Sequence, residues 1–218
     1  NGGSGGPVFL PDGTQVAFTS EANNLVANDT NGATDIFVKN LITGAVTRVS
    51  TDSSGVQGNG GSGTPVFSAD GTQVAFHSTA SNLVANDTNG TYDIFVKNLS
   101  TGAVTRVSTD SSGVQGNDGS YGPVFLADGT QLAFSSDASN LVAGDTNGAT
   151  DIFIKNIASV PTDTGRIDTV QSSISYTLPD HVENLILLGN DSLSGGGNEL
   201  NNVISGSGGG DFLSGYAG

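Results

Sequence analysis

The residues best suited to chemistry in this chain are oxygen donors set in turns. The loop DTNGATD at 29–35 returns as DTNGTYD at 87–93 and as DTNGATD at 145–151. Each copy groups two carboxylates and an amide around a glycine: Asp29, Asn31 and Asp35; Asp87, Asn89 and Asp93; Asp145, Asn147 and Asp151. Hard oxygen donors of this kind suit Ca2+ and poorly suit Zn2+. The spacing is not that of an EF-hand, whose loop needs glycine at its sixth position and Glu at its twelfth. Here glycine is fourth, and Asn40, Asn98 or Asn156 is twelfth. The same residues also read as an Asn-Gly turn in which Asp29 bonds local amides and Asp35 opens a strand.

A second oxygen-rich stretch lies near the C-terminal end. In GSGGGDFLS, residues 206–214, Asp211 follows Gly206, Gly208 and Gly209. Ca2+ takes six to eight oxygens, and a turn free of Cβ atoms can aim several carbonyls and one carboxylate at a common point. The preceding GNELNNVIS keeps the same phase, with Asn202 at the Asp position and Ile204 at the apolar one. Ile204 and Leu213 are expected to face a thin core, so that binding and folding would be coupled. The plain alternative is a Gly/Ser linker.

Other patterns carry less. Ser4 in GGSGG and the G-x-G-x-x-G match at 58–63 stand between no strand and helix, the setting those mechanisms need, and read as linker. His77 replaces Thr19 of the first copy and Ser135 of the third, and His181 follows a Pro-Asp turn. No acid, base and nucleophile recur together around either, so the chain reads as a non-enzyme. A hydrolase domain is the less favoured alternative.

Composition narrows the classes further. The 218 residues include 33 Gly, no Cys, no Met and no Trp, and carry a net charge of −15. Val, Ile, Leu and Phe make up about a quarter of the chain, enough to build a core. So much glycine disfavours long helices, and strands and turns must dominate. With six Lys and Arg against 21 Asp and Glu, phosphate backbones and anionic lipid are repelled and cations are the natural small partners. Zero Cys excludes disulfides and thiolate metal sites. No run of apolar residues is long enough to span a membrane as a helix.

The elements that must position these loops follow from a repeat. PVF recurs from Pro7 to Pro65 to Pro123, a period of 58, and the first two copies differ at nine positions. The third copy loses register after Ile157, where IASVPTDTGR replaces the expected LITGAVTRVS. Within one period, short apolar runs alternate with turn residues and predict four strands, at 7–10, 15–20, 35–41 and 45–51. Ile36 and Val38 face one way, Phe37 and Leu41 the other, so both faces of the sheet are apolar and sheets must stack. Phe9, Phe18 and Phe37 are expected in the core. A two-residue hairpin at Thr43-Gly44 would set Lys39 opposite Arg48, both snorkelling from an outer edge.

PVFLPDGTQVAFTS followed by DIFVKNLITGAVTRVS resembles the TolB-type or PD40 propeller repeat, with its DG turn, VAF strand and DIF strand ending in a TG turn. The form with NLVANDTNGATD inserted is similar to repeats of large exported bacterial proteins. The tail resembles the hemolysin-type (RTX) calcium-binding repeat, and GRIDTVQSSISYTLPDHVENLIL looks like the segment that often precedes it. These resemblances imply an all-β chain: tandem four-stranded antiparallel blades of a partial β-propeller at 1–157, a linker at 158–165, and a short parallel β-roll, truncated, at 166–218. They also imply a piece of a longer secreted bacterial precursor. The expected function is a calcium-binding structural or interaction segment, with Ca2+ as cofactor. The alternative is a propeller that binds an extracellular protein or glycan, calcium being incidental. Nucleic acid and membrane spans are not expected.

Overall fold

The computed structural model describes residues 1–127, 129–157, 167, 169–178, 182–198 and 200–215. The chain forms two compact units, Asn1–Ala158 and Ser159–Gly218. The expected linker at 158–165 lies outside the described residues, as does His181.

The described residues are all-β, without a helix. In the first unit, Ser4–Phe9 (β1), Gln15–Ser20 (β2), Asp35–Asn40 (β3) and Val46–Arg48 (β4) pair in that order as one antiparallel sheet. Ser62–Phe67 (β5), Gln73–Ser78 (β6), Asp93–Asn98 (β7) and Val104–Arg106 (β8) repeat it. Ser120–Phe125 (β9), Gln131–Ser136 (β10) and Asp151–Asn156 (β11) form a third sheet, three-stranded among the described residues.

Apolar faces stack these sheets. Ala17, Ile36, Val38 and Val49 of the first repeat pack on Phe67, Val74, Phe76 and Phe95 of the second. Ala75, Ile94, Val96 and Val107 of the second then pack on Leu132 and Phe134 of the third. Backbone bonds stitch the seams: the Thr34 carbonyl accepts from Ser62 N–H and the Tyr92 carbonyl from Ser120 N–H. Lysine adds a further tie. Buried Lys97 donates from Nζ to the Thr51 carbonyl (3.2 Å), to Thr51 Oγ1 (3.1 Å) and to the Asp52 carbonyl (2.6 Å). Lys155 repeats the tie on Asp110. The counterpart Lys39, on the first repeat, is exposed.

Four expectations are corrected. Strands β1, β5 and β9 begin three residues before the PVF motif, so Ser4–Gly6 of the GGSGG stretch is strand, not linker. A bulge at Gly6, Thr64 and Gly122, all with positive φ, carries the pairing back across it, and Ser4 Oγ meets Ser20 Oγ at 2.8 Å. The hairpin after β3 has four loop residues, because Asn40 N–H bonds the Ala45 carbonyl and Gly44 N–H bonds Asn40 O. Arg48 therefore lies opposite Phe37, and Lys39 opposite Val46, so the two cations are not paired and do not share an edge. Leu41, in that loop, is exposed. Phe9 is also exposed, at 61% against 9% for Phe67, because Phe67 has a preceding repeat packed on it.

The second unit is a parallel solenoid. Thr169–Ser172 (β12), Asn184–Leu187 (β14) and Val203–Ser205 (β16) stack as one sheet, and Tyr176–Thr177 (β13), Ser194–Gly196 (β15) and Phe212–Ser214 (β17) as another. Gly195 pairs with Leu213, so two nonapeptides make one coil there. Leu178, Leu185 and Leu187 form a thin core with Val170, Leu193 and Ile204 against it. Any Cβ on Gly195 would lie 3.1 Å from both Ile204 and Leu213 and 3.2 Å from Leu185. Glycine there lets the two sheets close.

Candidate functional site

The structure brings each blade loop together around an arginine. Strand β3 begins at Asp35, and the long loop before it folds back so that Asp29 faces the same point. Arg48, reaching across from β4, sets Nη1 at 3.3 Å from Asp29 Oδ1 and 3.5 Å from Asp35 Oδ2. Ser50 Oγ donates to Asp35 Oδ1 at 2.6 Å, and Gln57 Nε2 to Asp29 Oδ1 at 2.9 Å. Asn31 turns its Nδ2 to Asp35 and to the Gly58 carbonyl, while its oxygen takes the Ala33 N–H. The amide thus presents donors, not acceptors, to the carboxylates.

The second repeat reproduces this with Arg106, Ser108, Gln115 and Asn89 around Asp87 and Asp93. Burial first, and then the neighbouring Asp93 charge, push the Asp87 carboxyl above its ordinary value, against the pull of Gln115 and Arg106. One guanidinium therefore leaves two buried carboxylates only partly compensated. In the third repeat Asn147 donates to Asp151 and takes the Ala149 N–H, but the RVS and VQG motifs that supply arginine and glutamine do not recur after Ile157. Among the described residues no arginine pairs with Asp145 or Asp151.

Sequence reading did not find Arg48, Arg106, Gln57 and Gln115 as partners of these acids. The available signal was their constant spacing from the acidic loop in the first two copies and their joint loss from the third.

In the solenoid the turn after β16 is closed by Asp211. Its Oδ1 accepts Leu193 N–H from the preceding coil at 2.8 Å, and Oδ2 accepts Ser207 N–H. Ser207 Oγ adds a bond at 2.9 Å. The Leu193 amide foremost, with Ser207, holds the Asp211 carboxyl below its ordinary value. A Cβ on Gly206 would stand 2.7 Å from Asp211 Oδ2. One on Gly208 would strike Asn190 Oδ1, and one on Gly209 the Asp191 carbonyl. The three glycines therefore line a cradle of oxygens that any side chain would fill. In the adjacent nonapeptide Asn202 takes the place of Asp211 and accepts Asn198 N–H at 2.7 Å.

Among the described residues no three His, Cys, Asp or Glu side chains gather at one point, so any ion here would lean on carbonyl and amide oxygens. The solenoid turn offers a hard divalent cation one carboxylate, which already accepts from the Leu193 and Ser207 amides and the Ser207 hydroxyl, beside a backbone cradle and no cation from its own side chains. The blade loops of the first two repeats fit it less well, since arginine already supplies positive charge and the amides present donors. No helix of the described residues is long and apolar enough to cross a membrane.

No protein-family model and no curated protein matches the sequence. Solved structures similar to it include a protein described as TolB from Agrobacterium tumefaciens, at 18% identity and TM-score 0.43, covering 68% of this chain and 44% of that one. The β-propeller domain of the Trilobed protease from Pyrococcus furiosus is similar at 14% identity and TM-score 0.40, covering 71% and 43%. An acylaminoacyl peptidase from Pyrococcus horikoshii follows at 15% and 0.39, covering 62% and 17%. The chain spans less than half the length of each of these proteins.

Proposed function

We propose that the chain is a non-catalytic binding scaffold from a secreted bacterial repeat protein, the buried acids of its first two blades partly compensated by arginine and its solenoid stiffened by Ca2+. The observation that carries this is the distribution of cations. The six Lys and Arg all precede residue 167, whereas residues 167–218 hold six Asp and Glu and no Lys or Arg. Residues 167–218 bring no cationic side chain to their own acids, and the glycine turn offers a ready cradle of oxygen ligands. Asp211, with the carbonyls around Gly206, Gly208 and Gly209, would hold the ion. Asp145, Asn147 and Asp151 are the blade loop that would take a second, while Asp29, Asn31, Asp35, Asp87, Asn89 and Asp93 rely on arginine. Extracellular-type sites bind at about 10⁻⁴ to 10⁻³ M, so folding of the tail would wait for export.

Calorimetric titration of Ca2+ into chelator-treated protein tests this. One or two sites are expected, and Asp211→Asn should remove one of them. Three or more equivalent sites would return the blade loops of the first two repeats to the account, and no heat would remove calcium from it.

A further inference from the structure

Where β1 meets β5, a recess of about 570 Å³ opens between the first two repeats. Thr19 and Thr34 line its near side, and Gly63, Thr64, His77 and Tyr92 its far side. The first two repeats differ at nine positions, and three of the second repeat's replacements, Thr64, His77 and Tyr92, converge on this one place. Tyr121 of the third repeat, where the other two have Gly5 and Gly63, packs behind them. Its ring centroid lies 5.5 Å from Tyr92 and 6.1 Å from His77, and His77 meets Tyr92 edge-on at 4.9 Å.

Two features of this cluster oppose stability. His77 Nδ1 is buried without a hydrogen-bond partner. Thr64 holds a φ of 50° where the other repeats have Gly6 and Gly122, a costly conformation for a β-branched residue and one that collects at binding sites. The recess falls within the range of small-ligand sites, about 300–1,000 Å³. Its lining includes no Lys, Arg, Asp or Glu, so a charged ligand would find no counter-ion. The Thr34 and Thr64 hydroxyls and an imidazole can donate and accept, Thr19 Oγ1, which donates to the Gly5 carbonyl at 3.0 Å, can accept, and Tyr92 adds an apolar ring. A sugar ring presents the matching surface, with C–H groups on its faces and hydroxyls around its rim. A proline-rich peptide would cover the ring and leave most of the hydroxyls unmatched.

We propose that this recess binds one neutral pyranose unit of a glycan, packed against Tyr92, with its hydroxyls on Thr19, Thr34 and the His77 imidazole. The inference deepens the reading of the repeats as a binding scaffold and rests on it, but not on calcium.

Saturation-transfer NMR and tyrosine fluorescence on the full chain, with calcium and again with chelator, test it against methyl glycosides of glucose, galactose, mannose, xylose and N-acetylglucosamine. Galacturonate and a proline-rich peptide serve as the competing classes. The expected result is saturation transfer to at least one neutral glycoside in both conditions. Affinity should fall about tenfold, the worth of one good ring contact, in His77→Thr/Tyr92→Thr. That double variant installs the side chains of the first repeat, so a fold able to hold them already exists in the molecule. The proposal is overturned if no neutral glycoside receives transfer, if the double variant binds as well as the parent, or if galacturonate or the peptide binds in preference. Turnover of a glycoside, visible as new anomeric signals in the same spectra, would overturn the non-catalytic reading and leave the recess standing.

Discussion

Arg48 and Arg106 each face two largely buried carboxylates, with Nη1 distances between 3.3 and 3.9 Å, and the energetics of the blade loops turn on them. Removing one partner of a buried ion pair strands the other in low dielectric at a cost of about 3–5 kcal/mol. Arg106→Met should therefore lower stability in urea by that order, and millimolar Ca2+ should restore part of the loss while leaving the parent unmoved. Absence of any rescue would show that the loop cannot exchange its guanidinium for a metal. His77 offers a second handle. Burial pushes its imidazole below the ordinary value of 6.5, so the unfolded chain takes up the proton more readily than the folded one. Its contribution is complete above that ordinary value and is lost as pH falls through it toward the folded value. The groups around it are the Tyr92 and Tyr121 rings. His77→Thr should flatten the acid limb of melting temperature between about pH 7 and 5; an unchanged limb would place the acid sensitivity elsewhere.

Between elements, lysine locks the seams. Lys97 sends its ammonium into the turn that follows the preceding repeat, where Asp52 Oδ1 already ties the Ser54 and Val56 amides. Hydrogen bonds from a charged group contribute about 1.5–3 kcal/mol. Lys97→Met should cost roughly that much in a denaturant melt, with faster amide exchange at Gly55 and Val56; exchange that stays slow would show the turn to be held by its Asp52 bonds alone. The strands themselves were legible in the sequence because VAF and DIF alternate cleanly between turns at Asp12-Gly13 and Thr43-Gly44. The start of the first strand was not, since a positive-φ bulge at Gly6 looks like linker in sequence yet restores pairing through Ser4. Hairpin register was not legible either. Asn40 caps the turn through Oδ1 to Ile42 and Thr43 amides, lengthening it by two residues and moving Arg48 from Lys39 to the acidic loop. The oxygen-rich residues of the candidate sites were legible as a set, but their compensation by arginine depends on a fold-back that strand patterning does not encode. His77, Tyr92 and Tyr121 were visible as departures from the repeat, and only the stacking of blades brings them together.

For the whole molecule the two units divide by how they neutralise charge. Residues 1–157 hold five Lys and Arg against 14 Asp and Glu, with Arg48 and Arg106 on buried acids and Lys97 and Lys155 at seams, whereas residues 167–218 hold six Asp and Glu and no Lys or Arg. Among the described residues the solenoid's buried core is Leu178, Leu185 and Leu187, supported by glycine turns. Without a counter-ion, the six acidic residues of 167–218 should swell that part of the chain, giving a smaller hydrodynamic radius in calcium than in chelator. Equal radii would remove calcium from the account of compactness. The most direct test follows amide hydrogen exchange along the chain in excess Ca2+ and in excess chelator. Amides of β14 to β17 should be protected only with calcium, with Asp211→Asn abolishing the difference, while β1 to β11 stay protected in both conditions. A solenoid equally protected in chelator, or blades that open with it, would contradict the division of charge on which this reading stands.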